Sequence, residues 1–253
     1  MLTIDAKQET TRIVSFLKQT FEKQGISHAV IGISGGIDSA TSLFLLKQVL
    51  SPSQITAIHL PYTTEPIPLV RKILETAGYE QSNVHNLSIK KSVDILIEEL
   101  HISEPDYVRR GNIMARVRMI YLFDQAKKHN AMVVGTENRS EHYLGYFTRF
   151  GDSASDIEPL VHLYKTQIRQ LAQHLGVPQE VIDQPPTAGL WNGQTDEKEF
   201  GFSYKEADEV LFMHFQEKYS LEQIIKQGYK NGEQILAYVQ KNSFKLNTPY
   251  SLL

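Results

Sequence analysis

The 253-residue sequence contains no cysteine. That excludes a disulfide framework, a thiolate zinc site and a cysteine nucleophile. It has one tryptophan, and none of its apolar runs reaches the length of a membrane span. Nothing resembling a signal peptide precedes the first helical pattern, so the expected compartment is cytoplasmic, with no membrane contact. Neither sign of charge dominates: 26 Lys and Arg stand against 29 Asp and Glu, a net charge of −3. A nucleic-acid surface would show a basic excess, so no nucleic-acid partner is expected and any anion site must be local. Repeats, low-complexity tracts and clear linkers are all lacking. With 41% apolar and 22% charged residues the composition is that of a globular protein. The length suits one domain over residues 1–253.

The most informative stretch runs from His28 to Leu50. Residues 28–33 are a short apolar run expected to form a buried parallel strand. From Ala40 to Leu50, Leu43, Leu46, Val49 and Leu50 recur at helical spacing. Between them lies Ser34-Gly35-Gly36-Ile37-Asp38-Ser39. Paired glycines let the backbone turn tightly and approach a ligand. Amides at the start of the following helix make a site for phosphate oxygens. Asp38 would repel phosphate unless a hard cation lies between them, and Mg²⁺ takes carboxylate plus phosphate oxygens. A glycine turn with an N-cap is the simpler alternative, but the order strand, SGGxDS, helix is more specific than a turn. No Gly-Lys-Ser/Thr follows, so this is not a Walker A loop. It resembles the pyrophosphate-binding loop of the N-type ATP pyrophosphatases, which cleave ATP between its α and β phosphates.

Along the chain, residues 5–24 carry Ile13, Phe16, Leu17 and Phe21 on one helical face. Strands are expected at Ile55–Leu60, Val84–Ile89 and Ala131–Gly135, a loop at Tyr62–Pro68, and helices at Val70–Ala77 and Ser92–Leu100. Alternating strands and helices predict an α/β fold with a parallel sheet, its ligands at the carboxyl ends of the strands. Residues 111–130 are apolar around most of a helix, which predicts burial on all sides and a second subunit against one face. Arg116 and Arg118 lie within that run, and a buried guanidinium needs an anion. For Arg118 an internal ion pair and a ligand contact are equally open. Thr136 and Glu141 follow the fourth strand and should face the same crevice as Asp38. Two carboxylates near one polyphosphate suffice for a magnesium site. Residues 142–165 and 184–201 read as irregular loops, the first containing Tyr146 and Phe147, which are core or stacking aromatics. Helices are expected at Lys165–His174, Tyr204–Phe215, Leu221–Lys226 and Glu233–Gln240, with a polar, mobile tail from Lys241.

Five stretches together resemble the NAD synthetases over nearly the whole chain: GISGGIDSA at 32–40, GNIMARVRM at 111–119, VVGTENRSE at 133–141, GYFTRFGDSASDIEPL at 145–160 and PPTAGLWNGQTDEKEFGFSY at 185–204. The resemblance implies an adenine nucleotide alpha hydrolase-like, Rossmann-like sheet with a helical C-terminal part. It implies a ligase that uses ATP to adenylylate the carboxylate of deamido-NAD, releases pyrophosphate, and lets ammonia displace AMP, the last step of NAD biosynthesis. By position, Gly32, Ile33, Ser34, Gly35, Gly36, Ile37, Asp38, Ser39, Thr136, Lys165 and Thr187 would bind ATP, and Asp38 and Glu141 would hold Mg²⁺. Arg116, Arg149, Asp156 and Lys245 would bind deamido-NAD. Asp152 is the candidate for handling ammonia and its proton, and Asp38, Lys165 and Asp152 form the expected catalytic set. A homodimer with the dinucleotide site at its interface is implied. Glutamine-dependent members carry a glutaminase domain with a cysteine nucleophile. With no cysteine, and with synthetase motifs beginning by residue 32, free ammonia is the expected donor. Three places depart from the family pattern: Gly189, the loop at 61–68, and Ser243-Phe244-Lys245-Leu246, where only Lys245 carries over.

Overall fold

A computed structural model describes residues 2–63, 68–79, 85–191 and 193–252. Four parallel strands, β1 (Ala29–Gly32), β2 (Ile55–His59), β3 (His85–Asn86) and β4 (Met132–Val134), lie in the order β3-β2-β1-β4. β1 is central, with Ala29 opposite Ile55 on one side and Met132 on the other. Successive side chains point to opposite faces, which assigns each residue to a layer. Ala29, Ile31, Ile55, Ala57, Met132 and Val134 pack into one core with helices α1 (Ala6–Gln24), α2 (Ile37–Leu46), α3 (Pro68–Ala77) and α7 (Lys165–Leu175). Val30, Ile58 and Val133 face the other core, against α4 (Lys90–Glu99) and α5 (Tyr107–His129). Strands buried on both faces explain why they read as continuous apolar runs. A third core, rich in aromatics, joins α6 (Arg139–Leu144), α10 (Tyr204–Phe215), α11 (Leu221–Lys226) and α12 (Gly232–Asn242) into the helical C-terminal part. Among the described residues no helix is long and apolar enough to cross a membrane.

Several boundaries differ from expectation. α2 starts three residues earlier than expected, at Ile37, because Gly36 is its cap and Asp38 and Ser39 form its first turn. It ends at Leu46, and residues 48 and 49 close onto Leu45 and Leu46 in tighter turns. β3 is only His85–Asn86; Val84 and residues 64–67 of the expected loop lie outside the described residues. The ladder nevertheless continues, with Leu87 N–H donating to His59 O and Ile89 N–H to Pro61 O. The stretch 184–201 holds a short helix, α9 (Asp196–Phe200), whose acidic first turn suits a helix N-terminus. Another short helix, α8 (Gln179–Ile182), follows α7. The tail expected from Lys241 instead continues α12 to Asn242 and then a 3₁₀ turn at Ser243–Lys245, which Lys245 fastens to the Gly145 and Phe147 carbonyls. Within one chain α5 is not covered on all sides: Met114, Val117 and Leu122 are buried, whereas Val108 and Ile120 are about two-thirds exposed.

Candidate active site

A cleft of about 710 Å³ opens at the carboxyl ends of β1, β2 and β4. The whole of Gly32–Ser39 lines it. Gly35 sits at φ 94°, a conformation that L side chains rarely adopt. The turn holds itself in place: Gly36 N–H donates to Ser34 Oγ (3.2 Å), and Ser39 Oγ donates to Gly36 O (3.0 Å). Gly36 caps α2 without a side-chain hydrogen bond, so the first amides of that helix keep free donors for an anion.

Beneath this loop Lys165 Nζ lies 2.6 Å from Asp38 Oδ2 and 3.0 Å from Glu141 Oε1. These groups come from three distant places: the start of α2, α6 and the start of α7. Asn138, fully buried, aligns two of them. Its Oδ1 accepts the Glu141 N–H (2.9 Å) as the cap of α6, and its Nδ2 donates to Asp38 Oδ1 (3.2 Å). Lys165 is set by its own N–H, which donates to Ser140 Oγ (2.8 Å), and the buried Asp208 accepts from both Ser140 and the Thr166 N–H. Burial alone would favour a neutral lysine, but the two carboxylates outweigh it and raise its pKa. Burial pushes Glu141 up to about 8, against the pull of Lys165. With Glu141 holding a proton the group is electrically balanced, and ionising Glu141 leaves it one positive charge short. Among the described residues no cluster of three or more His, Asp or Glu is suited to hold a metal. Two convergent carboxylates beside a glycine turn with free helix-start amides do fit Mg²⁺, which takes one or two carboxylates and completes its shell with phosphate oxygens and water.

Comparison with known proteins places the chain in a family. The family model described as NAD synthase matches residues 9–249. The chain belongs to the NAD synthase family. It is 37% identical to the NH(3)-dependent NAD(+) synthetase of Fusobacterium nucleatum over 98% of this chain and 96% of the relative. Among solved structures it resembles NMN synthetase from Francisella tularensis (TM-score 0.83, 32% identity, 98% of both chains). It also resembles an NH3-dependent NAD synthetase from Campylobacter jejuni (TM-score 0.80, 28% identity, 99% of this chain and 100% of that one).

Thr136, Thr187, Asp152, Glu141 and Lys165 line the same cleft as the loop, as does Arg118. Arg118 donates Nε–H to Leu60 O (3.1 Å). Burial lowers its pKa, and the charge of Asp152 opposes that shift. Asp152 Oδ1 accepts the Thr148 N–H (2.8 Å), and burial raises its carboxyl pKa. The four residues that the NAD synthase pattern assigns to the dinucleotide lie outside this cleft. Arg116 borders a second cavity of about 370 Å³ between α4 and α5, with Arg109, Asn112, Leu96, Leu100 and Ile113. Its Nε–H donates to Arg149 O (3.3 Å), and the Arg149 guanidinium stacks 5.0 Å from the Phe244 ring centre. Asp156 Oδ2 accepts the Val133 N–H (2.7 Å), so that carboxylate extends the edge of β4. Lys245 is held by two backbone carbonyls, and burial lowers its pKa.

Three further residues line or support the cleft without having stood out in the sequence. Asn138 carried a signal, an Asn cap with Glu141 three residues on. His59 caps the end of β2, its Nδ1 on Ile33 O (2.8 Å). Asp196 lies behind Lys165, and only the fold places it there.

Proposed function

We propose that the protein joins free ammonia to the nicotinate carboxylate of deamido-NAD at the expense of ATP, forming NAD, AMP and pyrophosphate. The observation that carries this reading is Lys165 held between Asp38 and Glu141 under the Ser-Gly-Gly loop. A carboxylate is a poor electrophile, and its attack on a phosphate brings two anions together. A carboxylate oxygen of deamido-NAD attacks the α phosphorus, and the bond to the β-phosphate oxygen breaks. Loop amides, the hydroxyls of Ser34 and Ser39, Thr136 and Thr187 bind the phosphates, while Lys165 supplies the fixed positive charge that the departing pyrophosphate requires. Mg²⁺ held by Asp38 and Glu141 would neutralise the phosphates during this transfer. Ammonia then attacks the acyl carbon, and AMP leaves with the former carboxylate oxygen. Asp152, buried in the same cleft, holds ammonium and takes the proton that turns it into a nucleophile.

The dinucleotide occupies the second cavity, where an apolar shelf and the guanidiniums of Arg109 and Arg116 suit a flat base and an anionic linkage. The exposed Val108, Ile120 and Phe123 on α5 are the surface of a homodimer that completes this site. The cytoplasm, as the compartment of its soluble substrates, belongs to the same reading.

A second reading, amidation of the mononucleotide, is favoured by the match to the Francisella NMN synthetase over nearly the full length of both chains. One experiment separates them. Purified protein with ATP, Mg²⁺ and ammonium is offered deamido-NAD or nicotinate mononucleotide, and kcat/KM is compared. The main reading predicts preference for the dinucleotide. A preference for the mononucleotide replaces it with the second. Glutamine in place of ammonium should give no amide.

A further inference from the structure

The carboxylate of Asp196 is nearly fully buried, and two tyrosine hydroxyls from separate elements point at it. Tyr204, the first residue of α10, donates to its Oδ2 (3.0 Å), and Tyr146, just beyond α6, lies 3.2 Å from its Oδ1 with one hydroxyl proton to share between that oxygen and Glu199. The Tyr146 hydroxyl also meets Glu199 and the side-chain amide of Gln194. Asp196 N–H in turn donates to Pro186 O (3.0 Å), tying α9 to the segment that carries Thr187. That segment reaches the far rim of the cleft. Leu190 N–H donates to Gln194 Oε1 (2.7 Å), the Leu190 side chain fills the space above Gly111, where a Cβ would come within 2.6 Å of it, and Trp191 lies 5.7 Å from the Tyr107 ring. Tyr204 also puts its ring 5.2 Å from Lys165 Nζ.

From this arrangement we infer that Asp196 is a positioning residue: clamped between Tyr146 and Tyr204, it fixes residues 186–191, and with them Thr187, on the rim of the nucleotide cleft. Two acceptor oxygens on one carboxylate hold two donors that belong to different parts of the helical C-terminal unit. The backbone of the same residue carries the rim. Asp196 itself lines the cleft behind Lys165, and its effect on nucleotide affinity is inferred to run through the rim it holds. The inference rests on the reading of the cleft as an ATP site, and its test includes an arm that needs neither turnover nor a second substrate.

Trp191 is the only tryptophan, so its fluorescence reports the position of this rim without labelling. In Asp196→Ala, acrylamide quenching of Trp191 in the ligand-free protein should rise. KM for ATP should rise on the order of tenfold while kcat falls less, since losing hydrogen bonds to a charged group has about that weight. Asp196→Asn keeps one acceptor and adds a donor in the same shape, and should restore both quenching and KM to within about threefold. Tyr146→Phe removes one hydroxyl only, and should raise quenching even if the alanine variant fails to fold. Unchanged quenching and KM in Asp196→Ala, or in Tyr146→Phe where the alanine variant does not fold, would overturn the inference. So would an Asp196→Asn variant as impaired as the alanine one, because charge rather than the clamp would then be the cause. A normal quenching response with no amide formed would count against the proposed reaction and leave the clamp standing.

Discussion

The nucleotide cleft and the α4–α5 cavity share a chain but differ in how far that chain completes them. In the cleft, Asp38, Glu141, Lys165, Asn138 and Asp208 all have partners within the same molecule. In the cavity, Arg109 pairs at the surface with Asp106 and Arg116 donates to a backbone carbonyl, both beside Leu96, Leu100 and Ile113, and the neighbouring Val108 and Ile120 face outward. A site that must stabilise a charged transition state needs groups fixed beforehand, and neighbours from one chain provide this. A site that recognises the body of a larger substrate can be finished by a second surface. On the proposed reading, the first region carries the phosphate chemistry and the second recognises the substrate and a second copy of the chain.

The largest effect should come from breaking the finished site. Asp38→Asn keeps the shape and removes one charge, and should lower pyrophosphate release by at least ~100-fold with the fold intact. Single-turnover pyrophosphate assays beside a thermal melt check both halves of that statement. Full activity in this variant with Mg²⁺ present would remove the carboxylate pair from the account.

An intermediate effect is expected at the unfinished site. Ile120→Glu places a charge where the chain exposes an apolar side chain, so the isolated fold should tolerate it. Self-association measured by sedimentation at micromolar concentration should weaken at least ~10-fold, the cost of burying one unpaired charge. KM for deamido-NAD should rise while KM for ATP stays. Equal losses for both substrates would mean the two regions are not separate.

The smallest effect concerns stability. Glu158 Oε2 accepts the Glu137 N–H (3.1 Å), and its carboxyl fills the space where a side chain at Gly135 would begin. Burial pushes its pKa up to about 8 from 4.5. The folded protein therefore keeps a proton that the unfolded chain releases. The resulting stabilisation is fully present below about pH 4.5 and is lost as pH rises through about 8. Glu158→Gln holds the same shape without titrating. Between pH 6 and 8 the variant should lose roughly 2 kcal/mol less stability than the parent in urea unfolding. Parallel curves would show that this carboxyl is not the group that titrates.

What the sequence made legible follows from how local each feature is. Ser34 to Ser39 is contiguous, and its strand and helix flank it, so the loop and its chemistry could be read directly. Glu141 was legible because it follows the end of a strand that pairs with β1, whereas Lys165 gained its role only by resemblance. The partners of Arg118 were not legible: the sequence left an ion pair and a ligand contact open, and the fold gives it Leu60 O and a place in the cleft. Asp196 and Tyr146 read as part of irregular segments because nothing in spacing relates residues fifty positions apart. Arg149 and Lys245 had a role only by resemblance, and Arg116, expected as a buried guanidinium in need of an anion, is exposed. Arg116 Nε–H and Lys245 Nζ donate to backbone carbonyls, and the Arg149 guanidinium lies against the Phe244 ring.

The central claim is that the nicotinate carboxylate is activated by transfer of AMP to one of its oxygens. The direct measurement uses deamido-NAD with both carboxylate oxygens labelled with ¹⁸O, together with ATP, Mg²⁺ and ammonium. The account predicts AMP carrying one ¹⁸O on its phosphate and NAD retaining the other in its amide. Unlabelled AMP, or ADP and phosphate as the products, would contradict it.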